Sequence, residues 1–236
     1  MSEWWTYRLS DFLLFSARTY HRLVELYNAD VWPAHLVGLG VGFALLFVPV
    51  AGAAWASRAA CVLLALCWAW VAWAFHLQRY LSINWAASWF AAAFALEGAL
   101  LVALCGFGPR LRVRAVRGWR GGFGVGLLVF ALVVQPLIGR LLGRPWSQVE
   151  VFGMAPDPTA LGTLGLLLLL GAPGQASGAW RSRLSPVALW PIPVLWSLVS
   201  GATLSAMQAP DALLMPLAAL LAASAAFLTD PRDRRR

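Results

Sequence analysis

The chain has 236 residues, of which 61% are hydrophobic and only 12% are charged, whereas about 25% are charged in an average soluble domain. A water-soluble globule could not bury so much apolar surface, so the composition excludes that class and predicts an all-α integral membrane protein. The net charge of +8 does not indicate nucleic-acid binding, because the basic residues lie in short loops between apolar runs, where they signal topology.

The first 32 residues predict an amphipathic helix. Apolar and aromatic side chains recur at helical spacing, with Arg18, Arg22 and Glu25 between them, as on a helix with one apolar face. The same charged residues interrupt any run long enough for the core of a signal peptide. We therefore expect segment 1–32 to lie in the membrane interface. The alternative is a helix that packs on the rest of the protein.

Seven apolar runs follow, each of a length that suits a membrane-spanning helix. They cover residues 33–53, 59–77, 85–107, 121–142, 156–172, 187–207 and 212–228. The fifth run, Pro156 to Ala172, has 17 residues, which is the short limit of the roughly 17 to 25 that a span needs. Segment 33–228 is thus predicted to be a seven-helix transmembrane domain, and segment 229–236 a charged tail.

Glycines spaced four residues apart indicate close helix packing in two of these runs. Gly38 and Gly42 form such a face in the first run, and Gly122 and Gly126 form one in the fourth. Small residues let two helix backbones approach closely. We expect both faces to lie against a neighbouring helix.

Arginine counts predict the orientation of the spans. With seven crossings, one side of the membrane holds 12 arginines, five of them in the loop 110–120, and the other side holds 6. Because cytoplasmic loops carry the excess of basic residues, we expect a bacterial inner-membrane protein with its N-terminus outside and its C-terminus in the cytoplasm. If the fifth run does not cross, the count reverses and the N-terminus lies inside.

Polar residues gather on the outer side in this arrangement. Six of them lie at the ends or in the outer halves of spans: His35, His76, Asn84, Gln135, Asp157 and Asp211. Polar groups from several helices at similar depth predict an outward-facing pocket. The alternative is that they cap helices or anchor at the interface, which suits Asn84, Asp157 and Asp211 because they precede apolar runs.

Two side chains bring acid–base or ligand chemistry into the apolar runs. His76 can hold a proton or a metal ion, and with His35 at comparable depth it could ligate one haem. Glu97 lies near the middle of the third run. There it is protonated, paired with another helix, or part of a proton path.

Other features point away from enzyme chemistry. The chain has no P-loop, HExxH or GxSxG motif, so no enzyme class is predicted. Its three cysteines form no CxxC pair, and packing is preferred to a metal or redox role for them. Trp68, Trp70 and Trp73 lie deep in the second run, where stacking on a pigment is one interpretation and core packing the other. The cofactor is therefore unknown, with haem and a pigment as candidates.

Five segments give the chain a resemblance to a known family. They are LYNADVWPAH ending at His35, AFHLQRYLSIN ending at Asn84, QPLIGRLLG from Gln135, VFGMAPDPTALGTLG from Val151, and PIPVLWSLVSGA from Pro191. Through them the chain resembles an uncharacterised bacterial family of polytopic membrane proteins, the domain of unknown function 6064, whose members are sometimes labelled permeases. The resemblance implies a polytopic membrane protein and no established activity.

This sequence departs from the family pattern at three positions. The family often has glutamine at the position of His35, Cys-Pro at Asp157-Pro158, and histidine at Arg144. These departures weaken a metal-binding interpretation of the motif in this chain.

The leading functional hypothesis is a permease-like protein whose outward-facing pocket binds a small solute, with His76, Asn84 and Asp157 as first contacts. The alternative is an accessory or assembly subunit of a larger respiratory or photosynthetic complex, because small-residue faces and deep tryptophans suit lateral packing. A third hypothesis is a b-type cytochrome. The expected partners are the lipid bilayer and, for a subunit, other membrane proteins.

Overall fold

The computed structural model describes residues 13–51, 53–107, 118–170 and 186–227. Within these ranges the regular structure is helical and no strand is present, as the composition predicts. The main helices are α1 (Ala17–Val31), α2 (His35–Ala51), α3 (Ala54–Trp70), α4 (Ala87–Phe107), α5 (Gly118–Val129), α6 (Gln135–Leu141), α7 (Pro156–Leu169), α8 (Pro191–Ala206) and α9 (Leu214–Phe227). Most of the arginine-rich loop and the tail 229–236 lie outside the described residues.

Two of the helices continue through a wider π-helical stretch. Helix α3 passes into Val71–Leu77, and α5 passes through Phe130–Val134 into α6. Such stretches change the direction of the side chains that follow them and are frequent at functional sites. Here His76 lies inside the first stretch, and Gln135 comes directly after the second.

The seven apolar runs each contain a helix, but these helices differ in length. Three continuous helical segments are long and apolar enough to cross a membrane: Trp55–Ser82, Gly118–Leu141 and Val187–Ala206. Helices α1 and α2 would together make a fourth, although they meet at an angle of 91°. The all-α class and three helices of spanning length are therefore confirmed for the described residues, and seven crossings stay a prediction.

Helix α7 forms the centre of the bundle. All 14 of its residues are buried, and it packs on α5, α8 and α9. It approaches α5 so closely that a methyl group on Gly124 would lie 2.8 Å from the carbonyl oxygen of Gly165. This position explains why apolar residues lie on every face of the fifth run, since a helix surrounded by protein has no side that faces water.

The glycine pairs have different surroundings. A methyl group on Gly38 would lie 2.5 Å from the carbonyl oxygen of Phe152, and one on Gly42 would lie 2.1 Å from Cδ2 of Leu132, so this face packs closely as predicted. Added methyl groups on Gly122 and Gly126 would meet nothing within 4 Å. The prediction for the fourth run was therefore wrong, because Gly124, on the opposite side of the helix, makes the contact with α7.

Helix α1 packs on the connection between α6 and α7. The Tyr27 hydroxyl donates to the carbonyl oxygen of Met154 at 2.8 Å. The Asn28 amide donates to the carbonyl oxygens of Ser147 and Val149, each at 2.9 Å. Packing on the rest of the protein is thus observed, whereas a position in the membrane interface stays a prediction.

Candidate functional site

A small polar cavity lies at one end of the helices. It forms where α6 and α8 end and where α7 and α9 begin, and α1 and the α6–α7 connection complete its wall. Its volume is about 40 Å³, which holds about three water molecules. The polar side chains that line it are Tyr20, Gln135, Arg144, Gln148, Glu150, Asp157 and Asp211. The lining thus has three carboxyl groups and one guanidinium.

Arg144 and Asp211 form an ion pair across the cavity wall. One guanidinium nitrogen of Arg144 lies 2.8 Å from Oδ1 and 2.9 Å from Oδ2 of Asp211. Gly143 has φ +88°, a left-handed conformation that glycine adopts without strain, and it ends α6 and turns the chain toward this pair. The pair occupies the one guanidinium of the lining, so Glu150 and Asp157 keep no charged partner of opposite sign in the cavity.

Glu150 is the acid whose proton the cavity can exchange near neutral pH. The Tyr20 hydroxyl donates to its Oε1 at 2.9 Å. Burial, together with the negative charge of Asp157, raises the pKa of Glu150 from 4.5 to about 8, because the charged form of a carboxyl is disfavoured away from water and beside another anion. The cavity therefore changes its net charge within the physiological pH range.

Asp157 is held by the side chains of α8. Trp196 donates from Nε1 to its Oδ1 at 2.8 Å, and the Ser200 hydroxyl donates to its Oδ2 at 2.6 Å. The N-cap residue of α7 is Ala155, so Asp157 lies inside the first helical turn, where a carboxylate favours the helix dipole. Asp157 is therefore not the N-cap that the capping alternative predicts, although it keeps the expected dipole interaction, and it lies in the cavity wall.

Gln135 offers an unused acceptor to the cavity. Its amide nitrogen lies 3.8 Å from the sulfur of Met215, and its Oε1 is buried without a hydrogen-bond partner among the described residues. A buried acceptor without a partner costs about 1 to 3 kcal/mol. This oxygen is thus available to a water molecule or a bound solute.

The other three predicted pocket residues lie outside the cavity lining. Nε2 of His35 lies 3.1 Å from Oδ1 of Asn28. Asn84 accepts a hydrogen bond from the backbone N–H of Ala86 at 3.0 Å, the local bond that a capping role predicts. The cavity therefore takes in three of the six predicted residues, and His76 has surroundings of a different kind.

His76 is fully buried among aromatic rings. Its ring centre lies 4.6 Å from that of Phe94 and 5.1 Å from that of Trp196, and three further rings lie around it, those of Phe75, Tyr80 and Phe90. Neither ring nitrogen has a hydrogen-bond partner among the described residues. The imidazole is thus placed behind Trp196, one side chain away from Asp157.

The haem interpretation gains no support from this geometry. A bis-histidine site needs both imidazoles at one ligand, whereas aromatic rings pack around His76, and Nε2 of His35 contacts Asn28. Within the described ranges no three His, Cys, Asp or Glu side chains come together as a metal site.

Glu97 lies on α4, fully buried. Neither carboxyl oxygen has a hydrogen-bond partner among the described residues. Of its three predicted states, pairing across the bundle is therefore not observed there.

Among the polar cavity residues, sequence reasoning missed Tyr20, Arg144, Gln148 and Glu150. Arg144 and Glu150 lie in the connection between α6 and α7, which has no periodic pattern to interpret, and Tyr20 lies on the helix that was assigned to the interface. The signal available was charge: Glu150 is the only acid in the connection 142–155, and Arg144 is its only base.

One family model matches most of the chain. Residues 17–236 match the model of a family of unknown function, DUF6064. No curated protein and no solved structure matches the chain significantly. The match includes α1 and every element of the cavity wall, and the chain therefore belongs to the family of unknown function DUF6064.

Proposed function

We propose that this protein is a seven-helix protein of the bacterial inner membrane with a permease-like cavity that faces outward and binds a small solute. The exposed surfaces of the helices support the membrane setting. Leu36, Val37, Phe47 and Val50 of α2 are exposed, and a lipid environment removes the unfavourable contact of such faces with water.

Exposed tryptophans support the same setting. Five exposed tryptophans lie near the ends of helices. Three of them are on the cavity side, namely Trp32, Trp85 and Trp146. The chain order places the other two, Trp55 and Trp119, on the opposite side. Tryptophan is enriched at both interfaces of a bilayer. Two such belts are typical of a protein that spans the membrane.

Seven crossings agree with the arrangement of the short helices. Helix α7 has 14 residues and is about 21 Å long, below the roughly 30 Å of the hydrocarbon core. Because protein surrounds α7 on all sides, its length need not equal the thickness of the hydrocarbon core. With seven crossings, the excess of arginines puts the cavity on the outer face.

Cysteine labelling tests this orientation. In a variant whose native cysteines are replaced by alanine, Ser147→Cys should react with a membrane-impermeant maleimide in intact cells. Arg114→Cys, in a loop outside the described residues, should react only after lysis. The opposite pattern contradicts the outward-facing cavity.

The observation that carries the solute-binding proposal is the charge of the cavity. Asp157 lines it without an opposite charge of its own, Glu150 adds a second negative charge once it has released its proton, and the Oε1 of Gln135 adds a free acceptor. Acceptors and negative charge attract cations. The solute is therefore a small cation with N–H donors, of the size of an alkylammonium ion.

Ligand-induced stabilisation tests this proposal. The purified protein is heated with ammonium, methylammonium or ethanolamine chloride, and with sodium acetate or lactate at the same ionic strength. We expect at least one amine to raise the Tm in a concentration-dependent manner, the effect to disappear in Asp157→Asn, and the effect to persist in Arg140→Gln, whose side chain is exposed outside the cavity. Equal responses to amines and anions, or a normal response of Asp157→Asn, contradict the proposal. Uptake of the best amine into proteoliposomes then tests transport itself.

The accessory-subunit alternative is favoured by one observation. The face of Gly122 and Gly126 on α5 has open space in front of it, and such small-residue faces suit packing against a helix of another protein. Affinity purification from native membranes in mild detergent tests it. A stoichiometric partner that is lost in Gly122→Leu and retained in Gly40→Leu, another open glycine on α2, makes the protein a subunit. Purification without a partner favours the permease.

A further inference from the structure

His76 and Glu97 are ionisable side chains that the cavity does not use. Both are 0% exposed. The two nitrogens of His76 and the two carboxyl oxygens of Glu97 have no hydrogen-bond partner among the described residues. Such groups inside apolar helices are expensive, and in membrane proteins they commonly serve proton or ion pathways.

The two residues lie along one seam between α4 and its neighbours. The ring of Phe94 contacts His76, with the centres 4.6 Å apart. Glu97 follows Phe94 by three residues, so the two side chains are neighbours on the same helix face. Glu97 thus lies one turn of α4 beyond the aromatic rings that surround His76.

Trp196 connects this seam to the cavity. Its indole N–H donates to Asp157 at 2.8 Å. Its ring centre lies 5.1 Å from that of His76 and 5.1 Å from that of Phe94. From the cavity inward, the order is therefore Asp157, Trp196, His76, Phe94 and Glu97.

No oppositely charged side chain contacts His76 or Glu97 among the described residues. The elements that pack against α4 carry five charged or titratable residues, namely Arg58, Cys61, Cys67, His76 and Tyr80. Arg58 lies near the start of α3, the end away from His76. Around His76, Tyr27 of α1 contacts the adjacent Phe75, Arg79 pairs with Asp30 of α1, α7 contributes Asp157, and α8 contributes no charged side chain.

We propose that His76 and Glu97 form an internal proton site that exchanges with the cavity through His76. A hydronium ion of the cavity gives its proton to a free imidazole nitrogen of His76 and is left as a neutral water molecule. It then passes, with intervening water, to the carboxylate of Glu97, which becomes the neutral acid, and the imidazole returns to its neutral form. The reverse sequence releases the proton to the cavity.

The proposal uses the cavity only as the source of protons, so no solute is needed to test it. Infrared spectroscopy of the reconstituted protein at neutral pH detects the carbonyl band of a carboxylic acid, and Glu97→Gln assigns that band. We expect the band in the wild type and its shift on transfer to D₂O. In His76→Phe, an aromatic replacement without an exchangeable nitrogen, the exchange should slow by about tenfold or more. Trp73→Phe is the control, because Trp73 is an exposed aromatic residue in the same π-helical stretch.

Two results overturn the proposal. One is the absence of an acid band that depends on Glu97, and the other is exchange in His76→Phe as fast as in the wild type. If His76→Phe does not fold, ¹⁵N NMR of histidine-labelled wild type decides: a His76 signal broadened by proton exchange supports the site, and a static one overturns it. Failure of amines to stabilise the protein affects only the proposed solute, and a missing acid band affects only the proton site.

Discussion

A single guanidinium nitrogen of Arg144 donates to both carboxylate oxygens of Asp211, at 2.8 and 2.9 Å. This contact joins the α6–α7 connection to the turn that precedes α9, so two walls of the cavity are held by one ion pair. The side chains are 22% and 13% exposed. Water and salt therefore screen this pair less than they screen an ion pair on the open surface.

Removing Arg144 should therefore destabilise the protein measurably. Arg144→Gln leaves Asp211 partly buried without its partner, and we expect a loss of about 2 to 3 kcal/mol in the free energy of unfolding. Denaturant unfolding in detergent measures it. Arg140→Gln, one turn earlier on the exposed side of α6, should change stability by less than about 0.5 kcal/mol. Similar losses in both variants would show that the ion pair contributes nothing specific.

Glu150 gives the stability a pH dependence of definite sign. Its pKa is about 8 in the folded protein against a usual value of 4.5, so between these values the folded protein holds a proton that the unfolded chain has released. Stability from this group therefore falls as the pH rises from about 5 to about 8. Unfolding measured across this range should show the decline in the wild type and lose it in Glu150→Gln.

Glu25 supplies the control for that experiment. Hydrogen bonds from Gln148 and Arg22 lower the pKa of Glu25, so Glu25 stays ionised across the pH range from about 5 to about 8. Glu25→Gln should keep the decline. A decline of the same size in Glu150→Gln would mean that another group causes it.

The contact between α5 and α7 can be tested with neighbouring glycines. Gly124→Ala places a methyl group 2.8 Å from the carbonyl oxygen of Gly165, and overpacking of this kind costs about 1 to 3 kcal/mol. Gly122→Ala, two residues earlier with open space in front of it, should gain up to about 1 kcal/mol from helix propensity. Thermal unfolding of the two variants should thus shift in opposite directions, and a shift in the same direction would contradict the packing.

A buried hydrogen bond links α3 to α7. Trp68 donates from Nε1 to Oγ1 of Thr163 at 2.9 Å, and Thr163→Val should leave the indole N–H unpaired at a loss of about 1 to 3 kcal/mol. Thr203→Val is a matched control, because the Thr203 hydroxyl only donates back to the carbonyl oxygen of Val199 in its own helix. The loss in the double variant Trp68→Phe/Thr163→Val should be smaller than the sum of the two single losses, because both changes remove the same hydrogen bond, and full additivity would contradict the bond.

The positions of the helices follow from the sequence. Each apolar run is long enough for a helix, and polar or proline-containing stretches mark its ends. The number of crossings does not follow from the sequence in the same way. Helix α7 shows why: its apolar residues face protein, and hydrophobicity alone cannot distinguish a protein environment from lipid. The packed face of α5 was predicted wrongly for a related reason. Gly122 and Gly126 lie on one side of the helix and Gly124 lies on the other, and the spacing alone does not tell which side has a neighbouring helix.

The cavity was predictable in part. Asp157 and Asp211 lie where alternate helices begin, and Gln135 lies near a helix end, so topology brings them to one side. Arg144 and Glu150 come from an irregular connection whose path depends on Gly143 and on hydrogen bonds from Asn28, which no pattern in the sequence reveals. The aromatic surroundings of His76 depend on the π-helical stretch, which rotates its side chain away from the position that regular helical spacing implies.

The complete burial of α7 has a consequence for how the protein is made. A helix of 14 residues is too short to span a bilayer alone, and two of its neighbours, α8 and α9, follow it in the chain and so emerge later from the ribosome. Helix α7 therefore stays incompletely covered until α8 and α9 have been inserted. Loss of α9 should thus expose the segment to membrane proteases and quality control, although α9 itself forms only one part of the cavity wall.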